Sequence, residues 1–578
     1  MKHRFACKTV LAVAFVFVLF IGVSTAFAAP WKFGVMGDTQ WTTNDPAGTN
    51  PYTVPESIIK QVNQQFINAG VKFVIQVGDL TDDGNDISEV TRAAAAQPLI
   101  DAGIGFFPFR GNHETYGANN GYGISIFNHN YPQTLTGMFT KSNGRKYRLG
   151  SDFNSPTGVS MDLAGMSYSF DYGTEGNDAR FVIIDTWATP TKVDNNPDGY
   201  PYGYTVNDQQ AWISSRLDKN SRGTVHAFVL AHQPLIAENH QDTMFSGYTN
   251  AHPDWQNAFF AGLQNNDVKY YISGHDHIHQ RSIIKSPDSL SQVEELICAS
   301  NSSKFYTPKP IDNANWFGQK TRETSISQER YTVGYYIYTV DGPCVTVDYY
   351  SDDHGNWQSD ANYPNGSGDP LHPLNVTPAF NFVKKETWGY CQNGKEFQVP
   401  QTASYTLVED NFEGTTARVL GGTNNSTARD GSLVTTGGLG RQLTKAVTTG
   451  WFDMDNRRYP ADFKRDSGVA LRSDIFVLRG MADLGTDQTD TYALSLSSRH
   501  INLSAREAGK GGLGLVTKDR NGKWVNAVDM NFGGTKKFVY RAYQATDTLG
   551  TYGVDPKAGT VWAVINYNGD FAIAALKH

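Results

Sequence analysis

Five short stretches in the first half of this 578-residue sequence gather side chains able to hold cations: Asp38 and Gln40; Asp79 and Asp82; Asn112 and His113; His232; His275 and His277. The donors are carboxylate, amide and imidazole, and no cysteine accompanies them. Oxygen and nitrogen donors in this number suit a polynuclear site for hard or borderline ions such as Mn, Fe, Zn or Mg, and argue against a soft-metal site. Gly37, Gly78, Gly111 and Gly274 stand among these residues, where a missing Cβ lets the chain turn sharply.

The residues must sit on a framework, and the hydrophobic pattern predicts one. Short apolar runs at Lys32 to Met36, Val71 to Val77, Ile104 to Phe107, Phe181 to Ile184, Val225 to Leu230 and Val268 to Ile272 read as strands, each ending beside Asp, His or Gly. Helical periodicity is expected at Pro55 to Asn68, Ile87 to Ile100 (where Pro98 kinks or closes the helix), Asn207 to Leu217 and Asp254 to Leu263. Strand, polar end and helix, repeated this often, predict an α/β sheet with its chemistry at the carboxyl ends of the strands. The stretch Tyr116 to Leu163 lacks periodicity and reads as a long insertion over the site, with some hairpin content.

Gly37-Asp38-Thr39-Gln40, Gly78-Asp79-Leu80-Thr81-Asp82, Gly111-Asn112-His113-Glu114, Ala231-His232-Gln233 and Gly274-His275-Asp276-His277 resemble the five ordered motifs of the calcineurin-like metallophosphoesterases. Each alone is weak; five in order are specific. The resemblance spans about residues 31 to 350 and implies a four-layer α/β/β/α catalytic domain. It further implies two divalent or trivalent ions. Asp38, Gln40, Asp79 and His277 would hold the first, and Asp79 would bridge to a second completed by Asn112, His232 and His275. A water between such ions loses its proton at lower pH and attacks phosphorus, which is the metal-bridging hydroxide chemistry of phosphate mono- and diester hydrolysis.

His113 matches the family's proton donor to the leaving oxygen, and Asp82 the carboxylate that orients it. Arg110, Asn112 and His232 are the expected substrate contacts. Arg110 has an equal alternative, a pair with a loop carboxylate. Gln40 departs from the family, where histidine is more usual; it either ligates through a neutral amide oxygen or hydrogen-bonds to a metal-bound water. Asp83 stands where the protein Ser/Thr phosphatase branch carries arginine, which argues against close kinship with that branch. His279 is expected to be satisfied locally rather than to bind a third metal. His240 and His252 are expected at the rim, with residues near Tyr116 to Tyr122 in contact with substrate.

Composition bounds the remainder. Lys2, Arg4 and Lys8 precede an apolar run to Val23 and the small-residue site Ala26-Phe27-Ala28, the pattern of a signal peptide over 1–28. Its removal takes the net charge from −8 to about −11, which disfavours nucleic acid as a partner. A secreted or periplasmic protein with no transmembrane segment in the mature chain is therefore expected. Of Cys298, Cys344 and Cys391, two can pair, and spacing does not choose which.

The metallophosphoesterase domain is expected at 29–355, a linker or extension at 356–399, and an all-β region, a sandwich by its alternation, at 400–578. That region is expected to position substrate, attach to a surface or carbohydrate, or stabilise the core. Trp451, Tyr540 and Trp562 there are either a sugar platform or sandwich core, the second being the commoner arrangement. The partner is a small phosphate ester. The alternative functions are nucleotidase or pyrophosphatase action on extracellular nucleotides, and a secreted binding protein on an inactive scaffold.

Overall fold

A computed structural model describes residues 29–576, apart from 43–47, 116–122, 190–193, 196–200, 249, 307, 309–319, 354–373, 375–376, 393–394, 401–409, 413–414, 423–445, 453–468, 480–486, 499–507 and 510. The signal segment and Tyr116 to Tyr122 lie outside the described residues, as does half of the expected linker. The side chain of Trp451 is also outside them.

Two stacked sheets form the catalytic half. The first runs, in spatial order, Phe382–Cys391, Cys344–Asp352, Gly334–Asp341, Trp31–Met36, Phe73–Gln76, Gly105–Pro108. The second runs Glu323–Glu329, His279–Lys285, Gln292–Ile297, Tyr270–Ser273, His226–Ala231, Asn177–Ile184, Tyr168–Thr174, Ser151–Asn154. Within the first sheet, Trp31–Met36, Phe73–Gln76 and Gly105–Pro108 are mutually parallel. The second sheet contains a parallel set of its own, in which His226–Ala231 lies between Asn177–Ile184 and Tyr270–Ser273. Parallel strands send all their carboxyl ends to one edge, so the polar residues that follow each strand are delivered together.

Aromatic rings fill the space between the sheets. Phe33 stacks on Phe73 at 5.4 Å and on Tyr338 at 4.6 Å, and meets Phe181 and Phe228 of the opposite sheet edge-on at 5.0 and 5.3 Å. All five rings are fully buried. Each contributes about 1.5–3 kcal/mol by leaving water, and truncating one would cost about 3–5 kcal/mol. The outer faces are covered by helices. Ile58, Ile59, Val62 and Phe66 of Glu56–Ala69, with Leu99 of Asp86–Asp101, cover the first sheet. Ile213 and Leu217 of Val206–Leu217, with Phe259, Phe260 and Leu263 of Pro253–Asn265, cover the second. The layers are therefore α/β/β/α.

Pro98 does not end its helix: Asp86–Asp101 runs on for three residues beyond it. Its ring falls in the last turn, and the start is secured by Asn85, whose side chain accepts from the Ser88 N–H. The insertion is more regular than its composition suggested. It contains the helix Ile124–Asn130, a hairpin of Met138–Thr140 with Lys146–Arg148, and Ser151–Asn154 as edge strand of the second sheet. Within the segment expected as linker or extension, Phe382–Cys391 is a full strand of the first sheet, antiparallel to Cys344–Asp352.

Two further sheets make the C-terminal sandwich, with Phe476, Leu478, Leu515, Phe571 and Ile573 of one facing Leu494, Leu496, Ala563 and Ile565 of the other. Trp562 is fully buried on the outer side of its sheet, against Tyr543 at 5.5 Å, whereas Tyr540 is exposed. Among the described residues, no helix is long and apolar enough to cross a membrane.

Cys344 and Cys391 stand directly opposite each other in register and form a disulfide, leaving Cys298 as a buried thiol. The bridge closes a sequence separation of 47 residues, and in the chain-entropy account a closure of that size contributes about 2–4 kcal/mol. Exchanging both cysteines for serine should lower unfolding stability by about that amount in a denaturant titration. In protein lacking residues 1–28, which contain Cys7, a thiol reagent should label no site in the native state and one after unfolding.

Candidate metal centre

The metal-ligand candidates converge at the shared edge of the two sheets. Two clusters of ligand atoms lie there, Asp79 with His232 and His275, and Asp38 with Asp79 and His277, so Asp79 is common to both. The expected bridge and the division of the carboxylates and imidazoles between two ions coincide with these clusters. Asn112 joins the first through Oδ1, 3.1 Å from His232 Nε2. Gln40 joins the second by donating from Nε2 to Asp79 Oδ2 at 3.0 Å.

Close approach dictates the small residues. A Cβ on Gly111 would lie 2.0 Å from Asp79 Oδ1, and one on Gly78, at φ +95°, would lie 2.4 Å from His232 Nδ1. Asp79, His275 and His277 themselves have left-handed backbones, with φ of 45°, 74° and 52°. Such conformations cost on the order of 1–3 kcal/mol each and persist only where surrounding structure imposes them.

Each imidazole is oriented from behind. His232 donates from Nδ1 to the Val77 carbonyl at 2.7 Å, His275 from Nε2 to Asp242 Oδ1 at 2.9 Å, and His277 from Nδ1 to the Lys304 carbonyl at 3.1 Å. The opposite nitrogen of each ring therefore faces the cluster as a lone-pair donor. Asp242 and Lys304 were not singled out in the sequence, and Asp242 carries no local signal. Lys304 had one: it follows the strand Gln292–Ile297 in a polar run, as every earlier motif follows its strand.

The donors fit cations. Asp38 Oδ2 and Gln40 Oε1 are buried and have no hydrogen-bond partner. Burial pushes the Asp38 carboxyl up to about 7, against the pull of His232, with the neighbouring Asp79 adding to the rise. Burial would raise Asp79 too, but His232 and His113 beside it hold its carboxyl well below the usual range. Two carboxylates sunk together with only nitrogen and oxygen donors around them are an electrostatic arrangement that multivalent cations relieve.

His113 sits over this cluster with Nε2 4.0 Å from Asp79 Oδ2. Burial pushes its imidazole down, against the pull of Asp79. Its Nδ1 donates to the backbone carbonyl of Asp82 at 2.6 Å; the Asp82 carboxylate is farther, at 3.4 Å, and is paired with Lys304 Nζ at 2.6 Å. The expected carboxylate–imidazole dyad is thus a carbonyl–imidazole contact made by the same residue.

Arg110 does not reach the cleft as a substrate contact. Its guanidinium forks onto Asp185, Nε to Oδ2 at 2.8 Å and Nη2 to Oδ1 at 3.1 Å, and both side chains are fully buried. The pairing alternative prevails because a bidentate buried partner outweighs a solvent-facing one. His279 is likewise satisfied, by Tyr336 Oη at 2.9 Å and Glu386 Oε2 at 3.2 Å, with its ring on Tyr349. His240 does lie at the rim: it pairs with Asp276 at 2.7 Å, and its ring lies 4.0 Å from that of His275 at a tilt of 31°. His252 instead caps Pro253–Asn265 and stacks on Trp255 at 3.8 Å. Tyr306 closes the rim, its ring edge-on to His240 and His277 at 4.7 and 4.9 Å.

Residues 32–279 match the family model described as calcineurin-like phosphoesterase. No curated protein matches the chain. Among solved structures, the chain is similar to GAP50, the anchor in the inner membrane complex of Plasmodium, at 16% identity and a TM-score of 0.34 over 60% of this chain and 90% of that one. It is also similar to a dimetal phosphatase from Danio rerio, at 12% identity and 0.35 over 55% and 95%. A third is the purple acid phosphatase PPD1 from yellow lupin (Lupinus luteus) seeds, at 15% identity and 0.34 over 56% and 51%. Residues 32–279 thus form a calcineurin-like metallophosphoesterase domain, and a β-rich region follows them.

Proposed function

We propose that this phosphoesterase hydrolyses phosphate mono- or diesters with Asp38, Gln40, Asp79 and His277 holding one cation and Asp79, Asn112, His232 and His275 the other. The observation that carries this assignment is the sharing of Asp79 between two clusters of ligand atoms. The bound ions supply Lewis acidity and an acidified water. The chain's own residues do the rest. His232, His275 and His277 are held by Val77, Asp242 and Lys304 so that none needs to turn when substrate arrives. His113, fixed through Nδ1, directs Nε2 into the cleft and donates its proton to the leaving oxygen.

Export to a periplasmic or extracellular compartment is supported by the basic, apolar and small-residue pattern of residues 1–28. The Cys344–Cys391 disulfide points the same way, since such bonds persist in oxidising compartments. Residues 29–391 are read as the catalytic unit and 395–575 as the accessory sandwich. For the sandwich, the burial of Trp562 favours a stabilising role over an aromatic sugar platform.

Protein stripped of metal and reloaded separately with Mn, Fe, Zn and Mg should regain hydrolysis of phosphate mono- or diesters with at least one of them. Inactivity with every ion on both ester classes would sink the assignment. Asp79→Asn should lose both ions in elemental analysis; retention of two would contradict the shared-ligand geometry. His113→Ala should keep its metal and lose about 10²–10³ in kcat on alkyl esters, and much less on nitrophenyl esters, whose leaving group needs no proton. An unchanged alkyl-ester rate removes His113 from the acid role.

A further inference from the structure

The segment Ser300 to Tyr306 belongs to none of the five motifs, yet it is knitted into the centre. Asn301 N–H donates to the Asp38 carbonyl at 3.0 Å, and its side chain accepts from Gly37 N–H at 2.8 Å. Ser303 N–H donates to the Gln40 carbonyl at 2.9 Å. Between these ties and Tyr306 stands Lys304, its N–H bound to Ser302 Oγ at 2.8 Å and its carbonyl accepting from Ser300 Oγ at 2.8 Å and from His277. The backbone of Lys304 is therefore fixed, and its side chain, 8% exposed, runs to Asp82 Oδ1 at 2.6 Å.

A buried ammonium beside a centre meant for cations is an electrostatic cost, and Asp82 is what offsets it. The consequence falls on His113. The Asp82 carboxylate, 3.4 Å from His113 Nδ1, is near enough to compete with the Asp82 carbonyl for that nitrogen's proton. With the Lys304 ammonium in ion-pair range of the carboxylate, the carbonyl is the nearer acceptor for the imidazole, 2.6 Å against 3.4 Å.

We propose that Lys304 is a positioning residue for proton donation: by clamping the Asp82 carboxylate it leaves His113 anchored on the Asp82 carbonyl, with Nε2 aimed at the leaving oxygen. The inference rests on the assignment of His113 as the acid. It names a residue that touches neither substrate nor the reacting atoms.

The test compares Lys304→Met, which keeps most of the apolar stem and removes the charge, with Lys304→Arg, which restores the charge. Both are assayed in the metal-loaded protein on an alkyl phosphate and on nitrophenyl phosphate. Lys304→Met should lose about tenfold in kcat on the alkyl ester, less than about twofold on the nitrophenyl ester, and keep its KM for both. Lys304→Arg should recover to within about threefold of the parent. Placed in the His113→Ala background, Lys304→Met should cost nothing further, because residues acting as one unit do not add. Metal content should be unchanged, and in ¹⁵N-labelled protein the His113 Nδ1 proton, slow to exchange in the parent, should exchange faster in Lys304→Met.

Equal losses on the two esters, a rise in KM alone, loss of an ion, or a further loss in the His113→Ala background would each overturn the proposal. If the parent protein cleaves neither ester with any metal, the hydrolytic assignment itself fails. If the parent is active and Lys304→Met matches it on the alkyl ester, only the role of Lys304 fails.

Discussion

Everything in the catalytic half depends on keeping Asp38 and Asp79 close together and away from water. Two buried carboxylates repel, and burial favours their neutral forms. The protein keeps them in place by spending hydrogen bonds on the surroundings. Asp38 Oδ1 accepts from His275 N–H, and Asp79 Oδ1 from His113 N–H. Glu114, one residue past the acid, accepts from Leu80, Thr81 and Gly111 N–H groups and so ties the second motif to the third. The left-handed backbones at Asp79, His275 and His277 come from the same compression.

That compression is supported by the aromatic layer beneath. Phe33 and Phe73 lie five and six residues before Asp38 and Asp79 in a face that touches both sheets, so the strand ends cannot separate without parting ring stacks. Packing and electrostatics act in opposite senses here. The rings press the sheets together, and the carboxylates at their edge resist until cations are bound.

The parts legible in sequence were those written locally. Gly-Asp, Gly-Asn-His and Gly-His-x-His at strand ends, in order, pointed to the candidate ligands, because a β-strand delivers its next residues in a predictable direction. The accessory sandwich was visible in its alternation. What could not be read depended on partners distant in the chain. Arg110 finds Asp185, His275 finds Asp242, and Asp82 finds Lys304 more than two hundred residues later. The strand Phe382–Cys391 was hidden for the same reason: it joins the first sheet across a segment whose composition resembled a linker.

The strand order of the first sheet has a temporal consequence. Trp31–Met36, the first strand made, lies beside Gly334–Asp341, with Trp31 opposite Val340. Its other neighbour, Phe73–Gln76, is available early, but the sheet stays open on the remaining side until some three hundred further residues exist. Contacts of that sequence separation form slowly, because the loop entropy is lost before any contact repays it. A chain built in this order carries its central strand half-paired until Gly334–Asp341 has been made, so the sheet that bears Asp38 and Asp79 cannot close as those two motifs appear.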